Sequence, residues 1–169
     1  SFLEFASGHG RFTRHLVNQL PQHSLTVSDV VTSSVPFLTQ TFGVKGFLSA
    51  LDPMELHLDE KFDMIFVLSL FSHLPAGLWE SWLKKLFDAV NPGGHLIIST
   101  HGEYSAQQLG VEMSGDDYKF IANSESKQID KLTYGSTFTT ARYVNKAIKT
   151  YCSEAKSVQH FPTHFWSNQ

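Results

Sequence analysis

Helical and strand patterns alternate along this 169-residue chain, which predicts an α/β domain built on a doubly wound parallel sheet with helices on both faces. Three observations carry that expectation. Residues 3–13, Leu-Glu-Phe-Ala-Ser-Gly-His-Gly-Arg-Phe-Thr, place an acid in a short apolar run, then two glycines, then a helical pattern. Phe62–Leu70 is a near-continuous apolar run, as expected of a strand buried on both faces. Trp79, Trp82, Leu83, Leu86, Phe87 and Val90 form one stripe of a helix over Ala76–Val90.

Gly8 and Gly10 fall at the first strand-to-helix turn. Glycine is needed where the backbone turns sharply or lies against a ligand with no Cβ in the way. In parallel sheets that turn is where nucleotide-like ligands bind. The helix that follows carries Phe12, Leu16, Val17 and Leu20 on one face and ends at Pro21. Ser24–Asp29 reads as the second strand, with Leu25 and Val27 alternating and an acid at its C-terminal end. Gly46–Leu51 reads as a short third strand ending in Asp52-Pro53.

The stripe of the next helix makes its two Trp core residues, with Glu80 and Lys84 an i,i+4 pair outside it. Asn91-Pro92-Gly93-Gly94 stops this helix. Leu3, Phe5, Leu25, Val27, Ile65, Val67, Leu96 and Ile98 are the expected buried strand positions. Beyond Thr100 the pattern loosens. A short helix near Tyr104–Leu109 and a small hairpin from Tyr118–Ala122 and Leu132–Phe138 are expected. Thr139 or Thr140 caps a helix through Lys149 that turns Ala141, Val144, Ala147 and Ile148 inward. Ala155–Phe161 is the next expected strand.

Composition narrows the function classes. The length fits a single domain, and 41% hydrophobic residues with fourteen Phe suffice for a substantial core. A formal charge of −3 without Lys/Arg clusters argues against nucleic acid as the main partner. Cys152 is the single cysteine, so no internal disulfide forms and a reducing, cytoplasmic location is expected. No apolar run approaches a membrane span. The composition leaves the oligomeric state open.

Gly8-x-Gly10 alone does not choose a cofactor. A dinucleotide fingerprint wants a third glycine where Thr13 stands. Asp29 follows the glycines by roughly twenty residues, the spacing at which an acid accepts hydrogen bonds from ribose hydroxyls. Glu4-x-Ala6-Ser7-Gly8-x-Gly10 resembles motif I of the class I S-adenosylmethionine-dependent methyltransferases, Asp/Glu-x-Gly-x-Gly-x-Gly, with Ala6 in place of the first glycine. Residues 91–100, Asn-Pro-Gly-Gly-His-Leu-Ile-Ile-Ser-Thr, resemble the family's Pro-Gly-Gly turn into its fifth strand. The resemblance covers about the first hundred residues.

It implies a Rossmann-like methyltransferase sheet in order 3-2-1-4-5 followed by an incomplete terminal hairpin, in a single core over residues 1–169 trimmed at both ends. It implies S-adenosyl-L-methionine as cofactor and a small-molecule acceptor, methylated at oxygen. Cofactor-binding roles follow for Glu4, Ala6, Ser7, Gly8, Gly10, Asp29, Val30, Asp52 and Leu70. Among these Asp29 takes the ribose, Asp52 faces the adenine amino group, and Glu4 both braces the glycine loop and orients the ligand. Two competing readings are a pseudo-enzyme or regulatory module that keeps the cofactor site and a nicotinamide-dependent oxidoreductase.

A sulfonium methyl is already activated, so its transfer needs mostly alignment, with proton removal added for a hydroxyl or amine acceptor. Catalytic candidates are therefore chosen by position, outside the carboxyl ends of the strands. Ser72 and His73 follow the fourth strand, and His101, Glu103 and Tyr104 follow the fifth. His101 has the better claim as general base and His73 is the fallback, each weighed against a loop-bracing role. Asp63, at the opposite end of its strand, is structural. Residues 102–137 form an inserted lid or substrate segment. His160 and His164 stand four apart, but Pro162 between them argues against a shared helix face, and no metal site is expected.

Overall fold

The apolar runs of the first hundred residues become five parallel strands. β1 (Phe2–Phe5), β2 (Leu25–Asp29), β3 (Lys45–Leu48), β4 (Phe62–Val67) and β5 (Val90–Ile98) form one sheet in the order β3-β2-β1-β4-β5. The computed structural model describes residues 1–113, 115, 117–123 and 129–161. It divides into two compact units, residues 1–68 with 86–98 and residues 69–85 with 99–169, each described by itself.

The first unit holds the whole sheet. β1 lies at its centre, with Phe5 level with Ser28 of β2 and with Val67 of β4, so the C-terminal ends of these three strands align. Leu3, Phe5, Leu25, Val27, Ile65 and Val67 are buried, as the alternation predicts. Leu96 and Ile98 are only half-buried. Their strand is at the sheet edge, with β4 as its one neighbour among the described residues. One core cluster joins Leu16, Leu25, Val27, Leu38 and Val44, with Phe2, Phe12, Val17, Leu20 and Phe42 packed against it. Leu38 comes from α2 (Ser34–Phe42).

Several boundaries differ from the sequence reading. α1 is regular only over Thr13–Leu16. Turns carry the chain from there to Leu20, because Leu20 N–H still bonds Leu16 O while Asn18 and Gln19 bond three residues back. Asn91-Pro92-Gly93-Gly94 does not separate helix from strand. It lies inside β5, where the pairing register slips between Phe62 and Met64 and Gly93 takes φ 83°. The proline and glycines thus mark an edge-strand irregularity, the one sheet setting that accepts them. Asp63 lies near the N-terminal end of β4 and accepts from Asn91 Nδ2 at 2.8 Å.

The second unit contains the first turns of α3 (Ala76–Asp88), then α4 (Glu103–Gln108), β6 (Tyr118–Ile121), β7 (Ser136–Thr139) and α5 (Ala141–Tyr151). β6 and β7 pair antiparallel as the expected small hairpin. The segment 102–137 therefore contains α4, β6 and the start of β7. Trp79 and Trp82 are buried, and the Trp79 indole donates to Phe71 O at 3.0 Å while the two rings pack T-shaped with centroids 5.0 Å apart. Thr140 caps α5, its Oγ1 accepting from Tyr143 N–H. Residues 155–161 form no strand. They are exposed apart from half-buried Ala155, so their alternating apolar residues have no sheet to join. Pro162 and His164 lie outside the described residues.

Candidate functional site

In the first unit the C-terminal ends of β1 and β2 meet at the glycine loop. Ser7 N–H and Ser7 Oγ both donate to Ser28 O, at 3.0 and 3.1 Å, tying the loop to β2. Asp29 closes it from the other side. Its Oδ2 accepts from Gly8 N–H at 2.7 Å and its Oδ1 from Val31 N–H at 2.8 Å. Two carboxylate bonds of this charge-assisted kind leave Asp29 with lone pairs for a further donor.

Ala6 stands at φ 58°, Gly8 at φ 54° and Gly10 at φ 83°. The left-handed region suits glycine and costs an alanine roughly 1–2 kcal/mol, so Ala6 holds a strained backbone where motif I of the methyltransferases has its first glycine. Gly8 and Gly10 serve different ends. A Cβ on Gly10 would meet Leu38 Cδ2 at 2.5 Å and Phe42 Cε2 at 3.0 Å, so this glycine lets α2 pack against the loop. A Cβ on Gly8 would meet nothing within 4 Å. The space over Gly8 is open to a ligand.

Glu4 is 4% exposed, and Thr13 Oγ1 donates to its Oε2 at 2.7 Å. Burial pushes its carboxyl up to about 7, the Thr13 hydroxyl and backbone N–H oppose that rise, and the charge of Asp29 adds to it. Thr13 was read in the sequence only as a missing glycine. It is the group that holds Glu4. The remaining lone pairs of Asp29 beside open backbone suit a ligand that brings hydrogen-bond donors. Val30 follows Asp29 and is half-buried. Asp52, beyond β3, is exposed and accepts from Met54 N–H at 2.8 Å.

The second unit contains the remaining candidates. Leu70 is half-buried, and its carbonyl accepts from His73 N–H at 2.9 Å. Ser72 is buried, and its Oγ donates to Ser69 O at 2.8 Å. β7 brings His73 and His101 together. Thr137 N–H donates to Ser72 O at 2.8 Å, Gly135 N–H to His73 O at 2.8 Å, and Thr139 N–H to His101 O at 2.9 Å. The two imidazoles stand edge to face with centroids 6.1 Å apart. His73 stacks on Tyr134 and His101 on Phe138, at 4.5 and 5.2 Å. His73 Nδ1 lies 2.7 Å from Gly135 O. Glu103 and Tyr104 open α4, exposed and half-buried respectively. The sequence pointed to both histidines but not to the strand that joins them, since β7 lies more than thirty residues from either.

Among the described residues no cluster of His, Cys, Asp or Glu has the arrangement of a metal site; His160 is exposed. No described helix is long and apolar enough to cross a membrane.

A family model described as a methyltransferase domain matches residues 3–96. No curated protein matches the sequence at a significant level. Among solved structures, the DhpI–SAM–HEP complex is similar with a TM-score of 0.62 at 19% identity, covering 88% of this chain and 68% of that one. An S-adenosylmethionine-dependent methyltransferase from Clostridium acetobutylicum gives 0.58 at 15% identity, covering 90% and 70%. Coclaurine N-methyltransferase bound to N-methylheliamine and SAH gives 0.50 at 20% identity, covering 57% and 29%. At these identities the similarity is one of fold.

Proposed function

Because the chain belongs to the methyltransferase-domain family, we propose that it transfers a methyl group from S-adenosylmethionine to a small-molecule acceptor, at a hydroxyl oxygen. The observation that carries this reading is the glycine loop closed by Asp29, with Gly8 open above it and buried Glu4 beside it. The cofactor supplies a sulfonium-activated methyl group when bound. Asp29 accepts from the ribose hydroxyls through the lone pairs that Gly8 and Val31 leave. Glu4 orients the ligand's positively charged end, and Asp52 meets the adenine amino group. Ala6, Ser7, Gly10, Val30 and Leu70 complete the cofactor contacts. On this reading one imidazole takes the acceptor's proton, that of His101 or, as the fallback, that of His73. The small-molecule reading draws on the names of the similar structures, two of which include SAM with HEP and N-methylheliamine with SAH.

Calorimetry with S-adenosylhomocysteine and, in parallel, NAD tests the cofactor. Asp29→Ala should weaken S-adenosylhomocysteine by about 1.5–3 kcal/mol, the worth of hydrogen bonds to a charged acceptor. Binding of NAD alone would move the chain to the oxidoreductases. Binding of S-adenosylhomocysteine with no turnover on a panel of small alcohols, phenols and hydroxy acids would make it a cofactor-binding module. Unchanged affinity in Asp29→Ala would put the site elsewhere.

A further inference from the structure

In a neutral imidazole one ring nitrogen carries the proton and the other the lone pair, and the bond made by one settles which. At His73 the settling partner is a carbonyl. Gly135 O, 2.7 Å from Nδ1, can only accept, so Nδ1 donates and the lone pair of the neutral ring sits on Nε2. A reverse bond ties the same two residues, Gly135 N–H to His73 O at 2.8 Å. Tyr134 holds the ring plane, stacked on it at 4.5 Å and 14°.

Gly135 is itself fixed. It is buried, and a Cβ there would overlap the Ile121 carbonyl and approach the Phe120 ring to 2.8 Å. Strand β6 thus seats Gly135, and Gly135 seats His73. Further stitches hold the same stretch, since Leu74 O accepts from Thr137 Oγ1 and from Tyr118 OH. His73 is thus held by a reciprocal pair of bonds and a stacked ring.

Resting on the methyl-transfer reading above, we propose that Gly135 and Tyr134 are positioning residues that hold His73 as the Nδ1–H tautomer, so that Nε2, rather than a nitrogen of His101, takes the acceptor's hydroxyl proton. That proton passes to Nε2 and the ring becomes imidazolium, its charge shared with Gly135 O through Nδ1–H. The electron pair left on oxygen forms the bond to the methyl carbon, and the carbon–sulfur pair departs on sulfur.

The tautomer is read by nitrogen NMR of the full chain carrying ¹⁵N-labelled histidine, without cofactor. His73 should show a protonated Nδ1 and an unprotonated Nε2 near neutral pH, and Tyr134→Leu should shift it toward a mixture of tautomers. An Nε2–H tautomer in the parent would overturn the proposal. Turnover separates base from brace. Asn places an amide N–H as many bonds from the backbone as Nδ1, so His73→Asn keeps the Gly135 bond and removes Nε2. On the panel of alcohols, phenols and hydroxy acids, His73→Asn should lose roughly 10²- to 10⁴-fold in turnover while binding S-adenosylhomocysteine like the parent. Parental turnover in His73→Asn, with loss in His101→Ala instead, would make His73 a brace and sink its role as base. No turnover by the parent would overturn the hydroxyl-transfer reading and with it the base role, while the tautomer would still be decided by the spectrum.

Discussion

Glu4 shows at the residue scale what a buried acid does to a fold. Its carboxyl is raised from 4.5 to about 7, first by burial. Between those values the folded chain keeps a proton that the unfolded chain has lost. Stability therefore falls as pH rises through this window and is lowest above it. A shift of this size corresponds to about 3 kcal/mol. Glu4→Gln removes the titration and keeps an oxygen for the Thr13 hydroxyl. Urea unfolding near pH 5 and near pH 8 should show the parent losing up to about 3 kcal/mol relative to the variant. Equal pH dependence in both would mean that Glu4 is ionised in the fold throughout. Two residues away, Ala6 at φ 58° permits a second check. Ala6→Gly relieves the left-handed strain but adds freedom to the unfolded chain. The net gain should be up to about 1 kcal/mol in the same measurement, and a loss would show that the Ala6 methyl packs usefully.

At the scale of elements, the strands were legible because burial on both faces leaves a pattern in one dimension. β4 needs an unbroken apolar run, and β2 needs Leu25 and Val27 in step. The start of β5 was misread because Pro92 and Gly93 look alike in a turn and in an edge-strand irregularity. Only the pairing with β4 decides between them. The same limit hid the partners of Glu80. Sequence spacing offered Lys84; beside it, α5 delivers two hydroxyls to the carboxylate, Tyr143 OH at 3.2 Å and Tyr151 OH at 2.8 Å. Burial and then the Glu80 charge hold the Tyr143 phenol well above its usual range. Glu80→Ala leaves both hydroxyls without this acceptor and should cost about 2 kcal/mol. Ultraviolet titration should also show Tyr143 ionising at lower pH in the variant. An unchanged tyrosine titration would mean that the two bonds are not kept in solution. The glycine loop was more legible than His73 and its clamp, since Glu4, Gly8 and Gly10 are adjacent in sequence while Gly135 is remote from His73.

For the whole molecule, the candidate residues fall into two units. The strand ends of the first provide the glycine loop and Asp29, and the second provides both histidines with α4 and β6. S-adenosylhomocysteine binds only the folded state on this reading. Amides that exchange through global unfolding should therefore slow by about 2.7 kcal/mol of protection when the ligand is at 100 times its Kd. Local effects separate the units. Gly8 and Val31 N–H, both bonded to Asp29, should slow further because the loop closes on the ligand. We propose that α4 (Glu103–Gln108) and β6 (Tyr118–Ile121) belong to a substrate segment and should slow as well, since long connections in compact α/β domains usually serve ligand binding. Hydrogen exchange with and without S-adenosylhomocysteine measures both in one experiment. Slowing at Gly8 and Val31 with unchanged rates in α4 and β6 would make the insert a rigid structural element whose stability is independent of the cofactor. Its work would then be confined to seating Gly135 beside His73.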